Sequence, residues 1–247
     1  MKLSSVFKEN LNIAIAFSGG VDSSYLLYIA KKYAKNVTAY YVKTQFQPQF
    51  ELEDAHKLTQ MLDVPMKVIE LDVLSDSDVK QNPKNRCYYC KKRLFSTICD
   101  TARKDGYTLI IDGTNASDQE GDRPGMKALR ELSVRSPLRE CGLTKDEIRK
   151  LSKEAGLFTW DKPAYACLAT RIPTGVELTK EKLIRTEKAE DFLFSLGFWD
   201  FRVRELSNAA QIQIKEQQLP ILLNYKNEII TELKKYYSSV LLDMEGR

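Results

Sequence analysis

Through the first half of the chain, short apolar runs rich in β-formers alternate with stretches of helical periodicity. Leu11–Phe17 reads as a strand and Asp22–Lys35 as the helix that follows it. Val37–Val42 is a second strand, Glu51–Leu62 a second helix, Met66–Leu71 a third strand and Thr108–Asp112 a fourth. Such alternation predicts an α/β fold with a doubly wound parallel sheet. The ligand crevice of such a sheet lies beyond the carboxyl ends of its strands, where the loop after Phe17, Lys43 and the loop after Asp112 converge. The texture changes after Gly175. A long helix runs from Glu177 to Leu196, with Gly197 closing it as a C′ residue. Phe201–Glu205 and Ala210–Ile214 read as strands, Gln217–Lys235 as helical and Val240–Asp243 as a last strand. The pattern predicts two domains, an α/β domain over 1–173 and a small α+β domain over 174–247.

The junction of the first strand and helix carries the most specific chemistry. Ser18-Gly-Gly-Val-Asp-Ser23 is a glycine-bearing turn at a helix opening, where unpaired backbone N–H groups can meet an anion. A P-loop kinase or GTPase would place a lysine here, and this turn has none. The residues instead resemble the signature of the PP-loop enzymes, the N-type ATP pyrophosphatases with an adenine nucleotide α-hydrolase-like fold. That resemblance implies a loop that grips the pyrophosphate end of ATP while the α-phosphorus is attacked and AMP passes to the substrate. Ser18, Gly19, Gly20, Asp22 and Ser23 would form the cradle, with Asp22 recruiting Mg²⁺ through oxygen. The plain alternative is a strand-to-helix turn with Asp22 or Ser23 as N-cap.

Composition narrows the class. The chain has 247 residues, 43% of them hydrophobic, and a formal charge of +4. It can hold a large core, and its charge suits anionic nucleotides but is too small for a dedicated nucleic-acid binder. No apolar stretch approaches the ~18 residues needed to span a bilayer, and the opening residues have no secretory h-region, so the expected location is the cytoplasm.

Further landmarks follow the loop. They are Asp112-Gly-Thr-Asn-Ala-Ser-Asp118, Asp122-Arg-Pro-Gly125, Arg135-Ser-Pro-Leu138, Gly142-Leu-Thr-Lys-Asp-Glu-Ile148, Trp160-Asp-Lys-Pro-Ala164 and Cys167-Leu-Ala-Thr-Arg-Ile-Pro-Thr-Gly175. In this order they resemble the LarE-type ATP-dependent sulfur transferases, a branch of the PP-loop group, over nearly the whole chain. The resemblance implies that Lys43, Gly113 and Asp118 meet the nucleotide and that Arg123 offers a guanidinium to phosphate or departing pyrophosphate. It also implies that Arg171, Glu190, Arg202, Arg204 and Asp243 bind the substrate. Arg202 and Arg204 alternate onto one strand face, so both can meet one anion. Ordinary surface charge is the plain reading of these last residues. Thr144 with Glu147 reads as a capping box for a helix to about Glu154.

Five cysteines remain: Cys87, Cys90, Cys99, Cys141 and Cys167. An odd number outside a secretory context, with a C-x-x-C pair, points to metal or cluster work rather than a disulfide scaffold. In the LarE-like resemblance Cys167 handles sulfur, and members with a C-x-x-C pair hold a [4Fe-4S] cluster by three thiolates, here Cys87, Cys90 and Cys167. Cationic neighbours Arg86, Lys91, Lys92, Arg93 and Arg171 would favour the thiolates. A zinc site completed by Cys141 is the alternative. Cys99 lies in an apolar helical run and reads as core, and His56 as solvent-exposed.

These readings lead to an adenylating sulfur transferase using ATP and Mg²⁺, with Asp22, Arg123 and Cys167 in catalytic roles. The resemblance implies pyridinium-3,5-biscarboxylic acid mononucleotide as substrate, for nickel-pincer cofactor biosynthesis, and a homo-oligomer as the expected assembly. The sulfur donor is left unassigned. The rival readings are cluster-dependent tRNA thiolation, an ammonia-using adenylating synthetase and a non-enzymatic nucleotide sensor.

Overall fold

The computed structural model describes residues 3–9, 12–118 and 124–247. In chain order the first elements are α1 (Leu3–Glu9), β1 (Asn12–Ala16), α2 (Val21–Tyr33), β2 (Asn36–Lys43), α3 (Gln49–Met61) and β3 (Met66–Glu70). Next come α4 (Ser77–Lys80), α5 (Arg86–Lys104), β4 (Leu109–Asp112), α6 (Pro124–Glu131), α7 (Pro137–Glu140) and α8 (Lys145–Glu154). The C-terminal elements are α9 (Lys180–Ser195), β5 (Arg202–Leu206), β6 (Ala209–Gln213), α10 (Leu219–Asn224), α11 (Lys226–Leu233) and β7 (Ser239–Leu242).

The chain divides into two compact units, Met1–Val73 with Asn85–Lys162, and Leu74–Lys84 with Pro163–Arg247. Against the boundary expected at 173/174, the segments 74–84 and 163–173 therefore go with the C-terminal unit. Hydrogen bonds explain the first of these. Asn82 Nδ2 donates to the Pro173 carbonyl at 2.8 Å, and the Asn82 carbonyl accepts from Gly175 N at 2.8 Å. Lys80 adds its carbonyl to Leu178 N at 2.8 Å and its ammonium to Glu177 at 2.7 Å.

The first unit holds a four-stranded parallel sheet in the order β3-β2-β1-β4. Both faces are covered, as an all-parallel sheet requires. Alternation along each strand sends Ile13, Ile15 and Tyr41 into one core with Leu26, Leu27, Leu58 and Ile148, and Ala14, Ala16 and Tyr40 into another with Ile98, Cys99 and Leu129. Successive strands run outward from β1 to β3, and β4 then returns to pair on the other side of β1. The order reverses between β1 and β4, so the crevice for a ligand opens at their carboxyl ends.

The second unit has a three-stranded sheet, β5-β6-β7, with β5–β6 antiparallel and β6–β7 parallel. Ser207 and Asn208, both at positive φ (48° and 68°), make the two-residue turn between β5 and β6, as right-twisted hairpins favour. One sheet face packs Val203, Ala210 and Ile212 against Ala189, Leu193, Ile229 and Leu233. The helical stretch expected over Gln217–Lys235 is broken in two at Tyr225, and Pro220 sits in the first turn of α10, where its missing N–H does no harm.

Candidate active site

The turn between β1 and α2 is built from its own hydroxyls. Ser18 Oγ and Ser23 Oγ are 3.1 Å apart, and Ser23 Oγ donates to the Gly20 carbonyl at 3.1 Å. Gly19 adopts φ +73°, and a Cβ there would stand 3.3 Å from the Glu51 carbonyl oxygen on α3, so glycine suits both the backbone angle and the close approach. The N-cap of α2 is Gly20, which makes no side-chain cap, so neither Asp22 nor Ser23 fills that role. The helix opening is left available to an anion.

Gly113, directly after β4, packs against this opening. A Cβ at Gly113 would fall 2.8 Å from Ser23 N. Asp112 is buried and accepts from Ser136 Oγ at 2.6 Å and Thr114 Oγ1 at 2.5 Å. Burial pushes its carboxyl pKa up, against the pull of these hydrogen bonds. The loop that follows holds itself in shape: Asn115 Oδ1 accepts from Ser117 N at 2.8 Å, and Asp118 Oδ2 accepts from Asn115 N at 3.1 Å. Lys43 donates to the Gln47 carbonyl at 2.6 Å and so braces the loop after β2.

One residue of this site escaped the sequence reading as a functional candidate. Lys145, first in α8, places Nζ 2.6 Å from Asp22 Oδ2. Asp22 Oδ1 is buried and has no hydrogen-bond partner among the described residues. A lysine from a helix far along the chain thus stands beside the loop, paired with its carboxylate. Its position depends on the capping box read from Thr144 and Glu147, which is present. Thr144→Ala is expected to destabilise the protein by about 1 kcal/mol, measured by denaturant titration; an unchanged midpoint would remove the cap from the account. Arg123 and Asp122 lie outside the described residues.

Cys87 is exposed in the first turn of α5, and Arg86 Nη2 stands 3.8 Å from its sulfur. Cys90 lies three residues on, on the same helix face. Cys99 is buried in the core, and burial raises its thiol pKa as it does that of Cys141. Among the described residues no three His, Cys, Asp or Glu side chains stand gathered as a metal centre. Cys87 and Cys90 belong to the first unit and Cys167 to the second.

In the second unit, Cys167 precedes a 3-10 turn over Leu168–Arg171. Arg171 and Glu190 are buried and paired, with Nε–Oε1 2.9 Å and Nη2–Oε2 3.0 Å. Glu190 also accepts from Val203 N at 2.9 Å and from the Tyr165 hydroxyl. Arg171 Nη1 donates to the Ala166 carbonyl at 2.6 Å and the Cys167 carbonyl at 3.3 Å, fixing the backbone around the cysteine. Arg202 and Arg204 do share a strand face, but each is engaged. Arg202 donates to the carbonyls of Phe201 and Ala164 (2.6 and 2.8 Å), and Arg204 to Gln213 Oε1 and the Thr170 carbonyl (2.6 and 2.9 Å). Gln213 passes the connection to Asp243 at 2.6 Å. Burial and the neighbouring Arg171 hold the Arg202 guanidinium down at about 10.

The family model for queuosine biosynthesis protein QueC matches residues 12–85, which include the serine–glycine turn. Over 99% of this chain and 92% of the relative, the sequence is 36% identical to an uncharacterised protein of Synechocystis sp.. It is 32% identical to the pyridinium-3,5-bisthiocarboxylic acid mononucleotide synthase of Lactiplantibacillus plantarum, over 99% of this chain and 90% of that enzyme. The chain belongs to the LarE-type family. A LarE-type protein of this kind is an ATP-dependent sulfur transferase on a PP-loop domain. Similarity to the tRNA-specific 2-thiouridylase MnmA of Pseudothermotoga lettingae is weaker, 27% identity over 62% of this chain and 54% of that enzyme. No helix among the described residues is long and apolar enough to cross a membrane.

Proposed function

We propose that this LarE-type chain adenylates a carboxylate of pyridinium-3,5-biscarboxylic acid mononucleotide and replaces the activated oxygen by sulfur. The reading is supported foremost by the open start of α2, where Gly20 makes no side-chain cap and the Asp22 carboxylate lies within the first turn. The α2 opening, Ser18 and Ser23 would hold the pyrophosphate portion of ATP. A substrate carboxylate oxygen attacks the α-phosphorus, the α–β bridge breaks, and pyrophosphate leaves with the bond pair. Carboxylate oxygen is a poor leaving group, and adenylation makes it a good one. A sulfide-level sulfur nucleophile then attacks the acyl carbon, AMP leaves with the electron pair of the acyl C–O bond, and the thiocarboxylate remains.

The residues present fit the two groups this chemistry implies. Asp22 offers hard carboxylate oxygen to Mg²⁺, one atom of it buried and unpartnered among the described residues. Cys87, Cys90 and Cys167 offer three thiolates, the ligand type of a [4Fe-4S] cluster. When bound, a cluster with three protein ligands keeps one iron open to carry sulfide. Arg171 and Glu190 would act by holding the Cys167 backbone, and Arg204 with Asp243 would face the substrate.

The test is product analysis with Mg–ATP and the mononucleotide, anaerobically. AMP, pyrophosphate and an oxygen-to-sulfur mass change in the mononucleotide are expected, and ADP with orthophosphate would refute adenylation. Wild-type protein is expected to carry about four irons per chain, with Cys87→Ser, Cys90→Ser and Cys167→Ser each lowering that content; zinc in place of iron would overturn the cluster. Sulfur found in tRNA rather than in the mononucleotide would overturn the substrate.

A further inference from the structure

The ion pair at the start of α2 has a consequence for the order in which ligands bind. Lys145 Nζ lies 2.6 Å from Asp22 Oδ2, the carboxylate best placed to receive a divalent cation in the loop. The two side chains are only partly exposed, at 33% and 21%, so water screens the pair incompletely. The Lys145 backbone is held independently, its N–H donating to Ser117 Oγ at 2.9 Å. The neighbouring turn is tied down by Ala116 N on the Leu143 carbonyl at 2.8 Å. Only the flexible stem of Lys145 is left to move, and its ammonium can leave Asp22 without disturbing α8.

Asp22 Oδ1 is buried and has no hydrogen-bond partner among the described residues. A buried carboxylate oxygen without a partner is costly, so the carboxylate is half satisfied, with the lysine on Oδ2 and no described donor on Oδ1. A dication arriving alone would meet the lysine ammonium across the same carboxylate, and like charges at that range repel. A dication arriving with a polyphosphate brings the anion to which the ammonium can transfer.

We infer that Lys145 is an intramolecular stand-in for the divalent cation, which occupies Asp22 until nucleotide arrives and so makes metal binding at this loop contingent on ATP. The inference rests on the reading of the loop as the Mg–ATP site. Linkage makes the effect reciprocal: whatever the lysine takes from metal affinity in the empty loop is returned as cooperativity between metal and nucleotide.

The experiment titrates Mn²⁺, followed by its electron paramagnetic resonance signal, into nucleotide-free wild-type, K145M, K145R and K145M/D22N proteins. ATP binding is measured by calorimetry in parallel, and each variant is checked by thermal melting. K145M is expected to bind Mn²⁺ on the order of tenfold more tightly than wild type without nucleotide, while its cooperativity between Mn²⁺ and ATP shrinks by a similar factor. K145R, which keeps the charge, is expected to behave as wild type, and D22N to abolish the gain seen in K145M. Unchanged Mn²⁺ affinity in a folded K145M, or a gain that survives D22N, would overturn the role of Lys145 while leaving ATP binding by wild type intact. Failure of wild type to bind ATP at all would instead refute the parent reading of the loop.

Discussion

A Glu190→Gln variant is expected to lose about 3–5 kcal/mol of stability, because it leaves the Arg171 guanidinium as an uncompensated buried charge. Arg171 is 1% exposed and Glu190 likewise 1%, so solvent cannot take over when the carboxylate is removed. The loss is larger than for a surface pair because Glu190 also terminates the Tyr165 hydroxyl and the Val203 amide. Thermal melting checks it, with a fall of roughly 10 °C or more expected for a unit of this size. Replacing both partners by apolar residues, Arg171→Met with Glu190→Leu, is expected to cost less than Glu190→Gln alone, since no lone charge is left behind. Were Glu190 chiefly a substrate contact, the single variant would melt as wild type and show only a raised KM. The pair also fixes the carbonyls of Ala166 and Cys167. Sulfur transfer should therefore fall in Glu190→Gln even below its melting range, while formation of pyrophosphate is affected less.

The parallel sheet was legible because its strands are apolar runs of the right length, and the helices between them carry the matching period. β2 and β3 were placed to within a residue or two, and so was the capping box at Thr144. What local pattern could not carry was long-range bonding. Segment 74–84 lies between two elements of the first unit, and its place in the second unit depends on the Asn82 amide reaching Pro173. No period or turn signal in 74–84 encodes that partnership. The same holds for Lys145. Within Gly142–Ile148 it reads as a charged residue in the first helical turn, and its partner Asp22 is brought to it only by the packing of α8 on α2. Arg171 shows the converse: its motif marked it as a candidate, and only burial reveals that its donors are spent inside the fold. Short α4 and α7, of four residues each, lack enough turns to display a period at all.

Gly113→Ala is expected to reduce ATP affinity by roughly tenfold or more, the equivalent of about 1.4 kcal/mol or above, and to destabilise the first unit by about 1–3 kcal/mol through overpacking. The added methyl carbon would lie 2.8 Å from Ser23 N, 3.0 Å from Ser23 Cα and 3.2 Å from Ser23 Cβ. Two of these atoms are backbone at the start of α2, so no side-chain rotation relieves the clash. Either the loop after β4 moves away, carrying Thr114 off the buried Asp112, or α2 shifts and turns its opening N–H groups away from their anion. Pairing of β4 with β1 through Ala16 and Asp112 holds the first option in check. The helix opening is therefore the part that yields. Calorimetric titration of Mg–ATP against wild type and Gly113→Ala, alongside denaturant unfolding, separates the two effects. A variant that is less stable but binds ATP as wild type would show that phosphate is not held by the N–H groups beside Ser23, and the adenylation reading would lose the geometry on which it stands.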